Sequence, residues 1–287
     1  MRIYFAAPQS HQFFSQLERA NAKNILISYA YFKSITDFTR EARDWWPESI
    51  ILDSGAFTVW TKDKTINIDR YLEFCDVFKE FKPETTNQYI VNLDVLPGRF
   101  GLRPTKQEAE ESARQGFENM KYIDEKGFNC IPVFHQHEDF KWLEKLTEVK
   151  NYIGISPAND VSMKEKLQWL DRVFSFLKDK IVKDKLKTHG FAVTGYQQLL
   201  RYPFYSADSS SWVSGGKYGV LLSFKEGKFL KTHYRDNLSK LWSNVKHKDM
   251  NLFTSYQDRN YECILAYQEM EKFITNLWET RDIKWSL

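Results

Sequence analysis

Short apolar runs alternate with longer amphipathic stretches along most of the chain. The runs begin at Arg2, Asn24, Ser49, Tyr89, Cys130, Tyr152, Thr188 and Phe204. Most are continuously apolar, which is typical of parallel strands that are covered on both faces. Eight such strands with helical returns predict an α/β protein whose parallel sheet closes into a single (β/α)8 barrel, a TIM barrel.

Two of the amphipathic stretches carry explicit helix signals. Residues 105–127 open with a capping-box pattern, Thr105 followed by Glu108, and end on Gly127 at the position of a C-terminal cap. Residues 162–181 place five apolar side chains on one helical face, which are Leu167, Leu170, Val173, Phe174 and Leu177. Both stretches therefore predict helices that return the chain to the next strand.

A different pattern follows the eighth strand. Residues 219–234 form two alternating arms around Lys225-Glu226-Gly227, which predicts an antiparallel hairpin. The remaining residues are amphipathic and predict helices packed across the barrel exterior, with Trp242, Phe253, Ile264, Tyr267, Met270, Phe273 and Trp278 as their apolar positions. No linker or repeat divides the chain. We therefore expect one domain over 1–287, with the barrel over about 1–215, the hairpin over 217–234 and a C-terminal helical segment over 238–287.

Charge and composition narrow the function classes. A net charge of +3 permits a polyanionic partner without requiring one. Three widely spaced cysteines fit a reducing compartment better than a disulfide framework. There is neither a leader-like start nor an apolar run of the roughly 20 residues that span a bilayer. We expect a cytoplasmic protein with no membrane partner, and no strong signal defines an oligomer interface.

Three aspartates follow apolar strands: Asp53, Asp94 and Asp208. In a barrel of this kind the reacting residues lie at the C-terminal ends of the strands. A carboxylate next to an apolar run is costly unless it has a partner or a role. Capping of the next helix would explain any one of them, but three at corresponding strand ends favour a shared acidic site.

The segment His135-Gln136-His137 follows the fifth strand. Such a pair is similar to those of metal-dependent hydrolases, with His189 and Asp208 as conceivable further ligands. The pair stands on the wrong strand for that superfamily, and no HExxH helix or CxxC pair accompanies it. We expect no metal and no other cofactor. Gln136 or a neighbouring histidine would instead donate hydrogen bonds to a ligand, or the segment would satisfy a loop.

Small and basic residues near the strand ends suggest contacts to nucleic acid. Ser209-Ser210-Ser211 follows Asp208, and serine hydroxyls can hold phosphate or sugar oxygens. A lysine run over 178–187 leads to the seventh strand, where it is either a solvated helix face or a path for a phosphate backbone. Turns and exposed helices use the same residues, so neither signal is specific.

The order of these motifs resembles that of the tRNA-guanine transglycosylase superfamily, whose members insert 7-deazaguanine bases into tRNA or DNA. Asp53-Ser54-Gly55-Ala56-Phe57 is similar to the family's D-S-G-G-F segment. Asn92-Leu93-Asp94, Val133-Phe134-His135-Gln136 and Tyr152-Ile153-Gly154-Ile155 resemble its base-pocket strands. The residues over 189–195 are similar to its H-x-x-G-V-G strand, and Asp208 falls at its nucleophile. The hairpin, with Lys217-Tyr218-Gly219 before it, resembles the family's R-N-G…G…L-K element.

The resemblance implies a division of roles. Asp208 would attack the nucleoside C1′, and Asp53, in dry surroundings provided by Phe57 and Trp60, would handle the proton of the base. The base pocket would comprise Asp94 and Gln136, which read the base edge, together with His135, Phe57, Gly154, Ile155 and Gly195. Contacts to nucleic acid are expected from Ser209, Ser210, Trp212, Lys217, Tyr218 and Lys187. Candidates to sandwich a flipped base are Tyr196, Tyr205, Trp212 and Tyr218.

The departures from the family pattern bear on the substrate. The tRNA enzymes carry a structural zinc site of the type C-x-C-x2-C…H after the hairpin, where this chain has only Cys263, and Ala56 replaces a family glycine. Ser209-Ser210-Ser211-Trp212 replaces the family's motif after the nucleophile. The missing zinc element moves the expected substrate from tRNA towards DNA, as in relatives from phages and genomic islands.

Three hypotheses remain open at the level of sequence. The first is exchange of guanine in DNA for a free 7-deazaguanine base, at a flipped or single-stranded nucleotide. The second is a DNA glycosylase that lets water finish the reaction and leaves an abasic site, for instance in invading phage DNA. The third is a tRNA enzyme or a non-catalytic nucleic-acid-binding subunit.

Overall fold

The computed structural model describes residues 1–32, 34–43, 45–62, 64–233, 235, 243 and 255–285. Its central sheet has the strand order β5-β4-β3-β2-β1-β9-β8-β7-β6, with every pairing parallel. The strands are β1 (Arg2–Ala6), β2 (Asn24–Ser28), β3 (Ser49–Asp53), β4 (Asn87–Val91), β5 (Cys130–Ile131), β6 (Val133–His135), β7 (Tyr152–Ser156), β8 (Lys187–Gly190) and β9 (Ser206–Ser209).

The fifth barrel strand is divided into β5 and β6 by Pro132. Proline has no backbone N–H to donate to a ladder, while the Pro132 carbonyl still accepts a hydrogen bond from the Gly154 N–H at 2.7 Å. β5 pairs with β4 and β6 pairs with β7, so this one segment joins the two ends of the sheet. The prediction of an eight-stranded parallel α/β barrel is confirmed.

Helices return the chain between the strands. They are α1 (His11–Arg19), α2 (Ile35–Ala42), α3 (Ala56–Trp60), α4 (Ile68–Phe81), α5 (Lys106–Glu125), α6 (Phe140–Val149), α7 (Met163–Lys183), α8 (Tyr196–Arg201), α9 (Ser214–Tyr218) and α10 (Tyr256–Glu279), and a 3-10 turn covers Ser211–Val213. The capping box predicted at Thr105 is present, and Ser162 forms a second one with Glu165. Gly127 adopts a φ of +82°, as its predicted capping position requires.

Alternate side chains of the strands divide the core into two layers. Tyr4, Leu26, Ile51 and Val91 form a small cluster inside the barrel. Their neighbours in sequence join the larger core between the strands and the helices, together with apolar side chains of α10 such as Ile264. The period of two in a strand sends successive side chains to opposite faces, which determines the residues that can reach the barrel interior.

The hairpin consists of β10 (Val220–Lys225) and β11 (Lys228–His233), paired antiparallel. Its turn residues Glu226 and Gly227 have φ values of +52° and +70°, the pair of positive angles that a two-residue type I′ turn needs. The predicted hairpin is therefore confirmed. α10 crosses the barrel exterior, and the Trp278 indole N–H donates to the Leu199 carbonyl at 2.9 Å.

The C-terminal prediction is covered only in part. Residues 236–242 and 244–254, which include Trp242 and Phe253, lie outside the described residues. Over 256–279 the predicted amphipathic helix is confirmed as α10. Nowhere in the described chain does a helix combine the length and the apolar character needed to cross a bilayer.

Candidate active site

Asp53, Asp94 and Asp208 lie at the C-terminal end of the barrel. Asp53 is the last residue of β3, and Asp208 lies in β9 beside Tyr4 of β1. Asp94 lies three residues beyond the end of β4, which is shorter than the predicted strand. The charges of Asp94 and Asp208 both raise the pKa of Asp53, so the fold brings the three predicted carboxylates together.

A tight turn holds Asp53. Its Oδ2 accepts a hydrogen bond from the Gly55 N–H at 3.0 Å. Gly55 has a φ of +82°, and a Cβ atom there would lie 2.7 Å from the Ala30 Cβ, so both conformation and space require glycine. Burial, together with the charge of Asp94, raises the pKa of Asp53 to about 7, although a hydrogen bond from Ser28 opposes the shift. Near neutral pH this carboxyl group can therefore either give or take a proton.

Asp208 is held through one oxygen. Its Oδ1 accepts a hydrogen bond from the Ala192 N–H at 3.0 Å and lies 3.3 Å from His189 Nε2. The predicted seventh strand ends early, at Gly190, and Ala192 turns to a φ of +54° where it meets Asp208. Within the part of the chain that the structure describes, nothing donates to Oδ2. A carboxylate with one oxygen fixed and the other free has the arrangement of an oriented nucleophile.

A buried hydrogen-bond chain orients His189. Its Nδ1 lies 2.6 Å from the Ser206 hydroxyl, which lies 2.5 Å from the Tyr152 hydroxyl. Nε2 faces a carboxylate and therefore carries the proton in the neutral ring, so Nδ1 accepts from Ser206 and Ser206 accepts from Tyr152. The imidazole is fully buried, between the rings of Tyr4 and Phe191. This chain fixes both its tautomer and its direction.

A second histidine is held between two acidic groups. His135 Nε2 lies 2.8 Å from Asp94 Oδ2, and the His135 backbone N–H donates to the Glu138 carboxylate at 3.0 Å. Burial lowers the pKa of His135, but the close contact with Asp94 and the charge of Glu138 outweigh it, and the net shift is upward. Burial also raises the pKa of Glu138 to about 7. One Asp94 oxygen is thus engaged, which leaves the other for a ligand. Sequence reasoning missed Glu138.

An open cleft lies beside His135, and its empty volume, open solvent included, is about 520 Å³. His135 and Gln136 line one wall. Gln136 Oε1 accepts from the Ala158 N–H at 3.0 Å, so its amide NH2 is the group left to donate. Phe57 and Phe100 are 43% and 59% exposed and enclose Trp60, whose ring centroid lies 5.5 Å from that of Phe100. Phe100 was missed in the sequence, although an aromatic residue in a Gly- and Pro-rich loop is a signal of exposure.

Several predicted contacts are wrong. Trp212 is fully buried and its indole N–H donates to the Ala6 carbonyl at 2.8 Å, so it does not stack on a base. Ile155 points outward into the core beneath the helices, one residue out of phase with Gly154. Lys187 begins β8 and lies 4.5 Å from the ring of Tyr205, at the N-terminal end of the barrel. The lysine run and Tyr205 therefore lie at the end opposite to the aspartates.

The other predicted residues have mixed placements. Gly154 and Gly195 give room to Phe191 and Gln198, respectively, because an added Cβ would lie 2.4 Å from the ring of Phe191 and 2.5 Å from the Gln198 amide oxygen. After Asp208, Ser209 is buried and Ser210 is exposed. Tyr196 donates its hydroxyl to the Gly227 carbonyl, which ties it to the hairpin. Tyr218 is 61% exposed beside Lys217, where both remain accessible.

Each of the two histidines of the site faces a carboxylate. His135 and His189 are engaged by Asp94 and Asp208, respectively, and in the described chain no group of three His, Cys, Asp or Glu side chains is arranged to hold an ion.

No protein-family model matches this sequence, and no curated protein matches it.

Proposed function

We propose that this chain is an enzyme of the N-glycosidic bond in DNA, a zinc-less relative of the tRNA-guanine transglycosylases. It would exchange guanine for a 7-deazaguanine base through a covalent ester between Asp208 and the sugar. The observation that carries the proposal is the contrast between two carboxyl groups at one end of the barrel. Asp208 offers a single free oxygen, while Asp53 has a pKa raised to about 7 by burial. Environments that differ in this way are typical of acid and nucleophile pairs.

The reaction has two displacements at C1′. Asp208 Oδ2 attacks C1′, the bond to the base breaks, and the departing base takes the proton of Asp53 as the ester forms. An incoming 7-deazaguanine then gives a proton to the Asp53 carboxylate and attacks C1′. The ester bond breaks and Asp208 is restored. C1′ is inaccessible inside a duplex, so the nucleotide is flipped or single-stranded.

Polar groups around the cleft suit recognition of a base edge. The Gln136 amide NH2 can donate to a ring carbonyl, and the free oxygen of Asp94 can accept from a ring N–H. Phe57 and Phe100 offer flat, exposed surfaces to a base or its neighbour. The three buried, unpaired cysteines fit the reducing cytoplasm as the place of action.

One observation favours the excision alternative. Guanine presents two adjacent donors, N1–H and the 2-amino group, and His135 already occupies one of the two Asp94 oxygens that would receive them. A base with a different edge would suit this arrangement better. The same site would then act as a DNA glycosylase, with water in place of the incoming base, and would leave an abasic site.

The test is incubation of the purified protein with single-stranded and duplex DNAs of defined base modification, with and without free 7-deazaguanine. We expect mass spectrometry to detect added base in the DNA and, after denaturation, a protein–DNA adduct on Asp208. Asp208→Asn should abolish both signals, and the exposed Asp179→Asn is the matched control. Released base with alkali-labile sites would replace exchange by excision. Turnover of tRNA alone, or full activity of Asp208→Asn, would refute the proposal.

A further inference from the structure

A second depression lies next to the candidate active site. This groove runs between the loops after β2 and β3 and the start of α4, and its empty volume, open solvent included, is about 1760 Å³. Its polar lining includes Ser34, Thr65 and Asn67, and three cationic side chains also line it, which are Lys62, Lys64 and Arg70. Glu73 is the single carboxylate among those lining residues that the structure describes. The groove is therefore open, polar and positively charged.

Helix α3 separates the groove from the cleft. Phe57 and Trp60 line the cleft, while Thr58 and Val59, on the opposite side of the same helix, line the groove. The helix begins directly after the Asp53 turn, and Gly55 packs against Ala30 of the groove wall. A ligand that enters the cleft and extends past α3 would thus reach the cations.

These three cations are available for a ligand. Lys62, Lys64 and Arg70 are all exposed, and none of them forms an ion pair with a residue in the described ranges. In contrast, Lys183 of the lysine run is paired with Asp179 at 3.6 Å. Exposed cations near a groove track a phosphodiester backbone, while flat side chains hold the bases.

We propose that this groove binds the sugar-phosphate backbone of single-stranded DNA next to the nucleotide in the active site, with Lys62, Lys64 and Arg70 each at a phosphate. The inference rests on the proposed function, because it assigns the position of the strand that the function requires. The proposal also assigns DNA binding to this groove instead of the lysine run, which lies at the opposite end of the barrel.

The experiment measures binding without turnover. A fluorescein-labelled 12-nucleotide single-stranded DNA is titrated with Asp208→Asn protein, and its anisotropy is followed between 50 and 200 mM KCl. Two triple variants are made in this Asp208→Asn background. The groove variant combines Lys62→Ala, Lys64→Ala and Arg70→Ala. The control variant changes exposed lysines at the opposite end of the barrel, Lys178→Ala, Lys183→Ala and Lys185→Ala. Both sets remove three positive charges, and circular dichroism verifies that each variant is folded.

We expect the groove variant to bind roughly tenfold more weakly or worse, and its slope of log K against log salt to be shallower by about 2, since each phosphate contact to a single strand contributes about 0.7. The control set should leave the slope unchanged. An unchanged slope in the groove variant, equal effects of the two sets, no binding of DNA, or tighter binding of an RNA of the same sequence would each overturn the proposal. The binding measurement needs no base chemistry, so its result can be interpreted even if the proposed function is wrong. If the enzyme is active but the groove variant keeps the original salt dependence of DNA binding, only the groove proposal is refuted.

Discussion

Replacement of Asp53 by asparagine should stabilise the protein while it removes the proposed proton handling. Burial, together with repulsion from Asp94 and Asp208, raises the pKa of this carboxyl group from an ordinary 3.8 to about 7. The unfolded chain releases the proton near pH 4 and the folded chain near pH 7. Between these values the folded state binds more protons, so its stability falls as the pH rises. Asparagine keeps an acceptor for the Gly55 N–H and carries no charge.

The magnitude follows from linkage. At about 1.4 kcal/mol for each tenfold change in proton affinity, the ionised carboxylate costs on the order of 4 kcal/mol above pH 7 and about 2 kcal/mol at pH 5. Asp53→Asn should therefore raise the free energy of unfolding by these amounts, and its Tm at pH 8.5 by on the order of 8 °C.

The assay is urea and thermal unfolding of both proteins between pH 5 and pH 8.5, followed by tryptophan fluorescence. Asp179→Asn serves as the control, since that side chain is exposed, and it should leave the pH dependence unaltered. A loss of stability in Asp53→Asn at pH 8.5, or a gain that does not grow with pH, would show that Asp53 is not held in the way described. Base release or exchange should be lost in the same variant.

Two further substitutions test the histidine environments. Ser206→Ala leaves His189 Nδ1 and the Tyr152 hydroxyl without their buried partner. We expect the free energy of unfolding, measured in urea, to fall by about 1–3 kcal/mol, and kcat to fall at unchanged KM. A wild-type kcat would contradict the orienting role of Ser206. In His135→Gln the protein loses the stability that the charged imidazole contributes. The pKa of His135 is raised because its close contact with Asp94 and the charge of Glu138 outweigh burial. That contribution is complete below the ordinary pKa of about 6.5 and disappears as the pH rises through the folded value, so the loss in Tm should be larger at pH 6 than at pH 9. Equal losses of Tm at the two pH values would refute this account of His135.

The sequence alone determined what depends on neighbouring residues. Continuous apolar runs indicated buried parallel strands, and the capping residue Thr105 located the start of one long helix. The hairpin was readable because two alternating arms flank Lys225-Glu226-Gly227. The grouping of the strand-end aspartates also followed, since all parallel strands of a closed barrel end on the same side.

Only the tertiary structure decided which side chains reach the site. A shift of one residue along β7 separates Gly154, inside the barrel, from Ile155, beneath the helices. Lys187 begins β8 and therefore lies at the opposite end, while tertiary packing buries Trp212 against Ala6. The neighbours of Asp94 and Asp208, namely His135 and His189, come from other strands, so no local pattern could pair them. Packing of the loops after β2 and β3 against α4 likewise joins segments more than 30 residues apart into the basic groove beside α3. Contacts between residues distant in sequence are fixed by packing of the whole chain, and local preference cannot specify them.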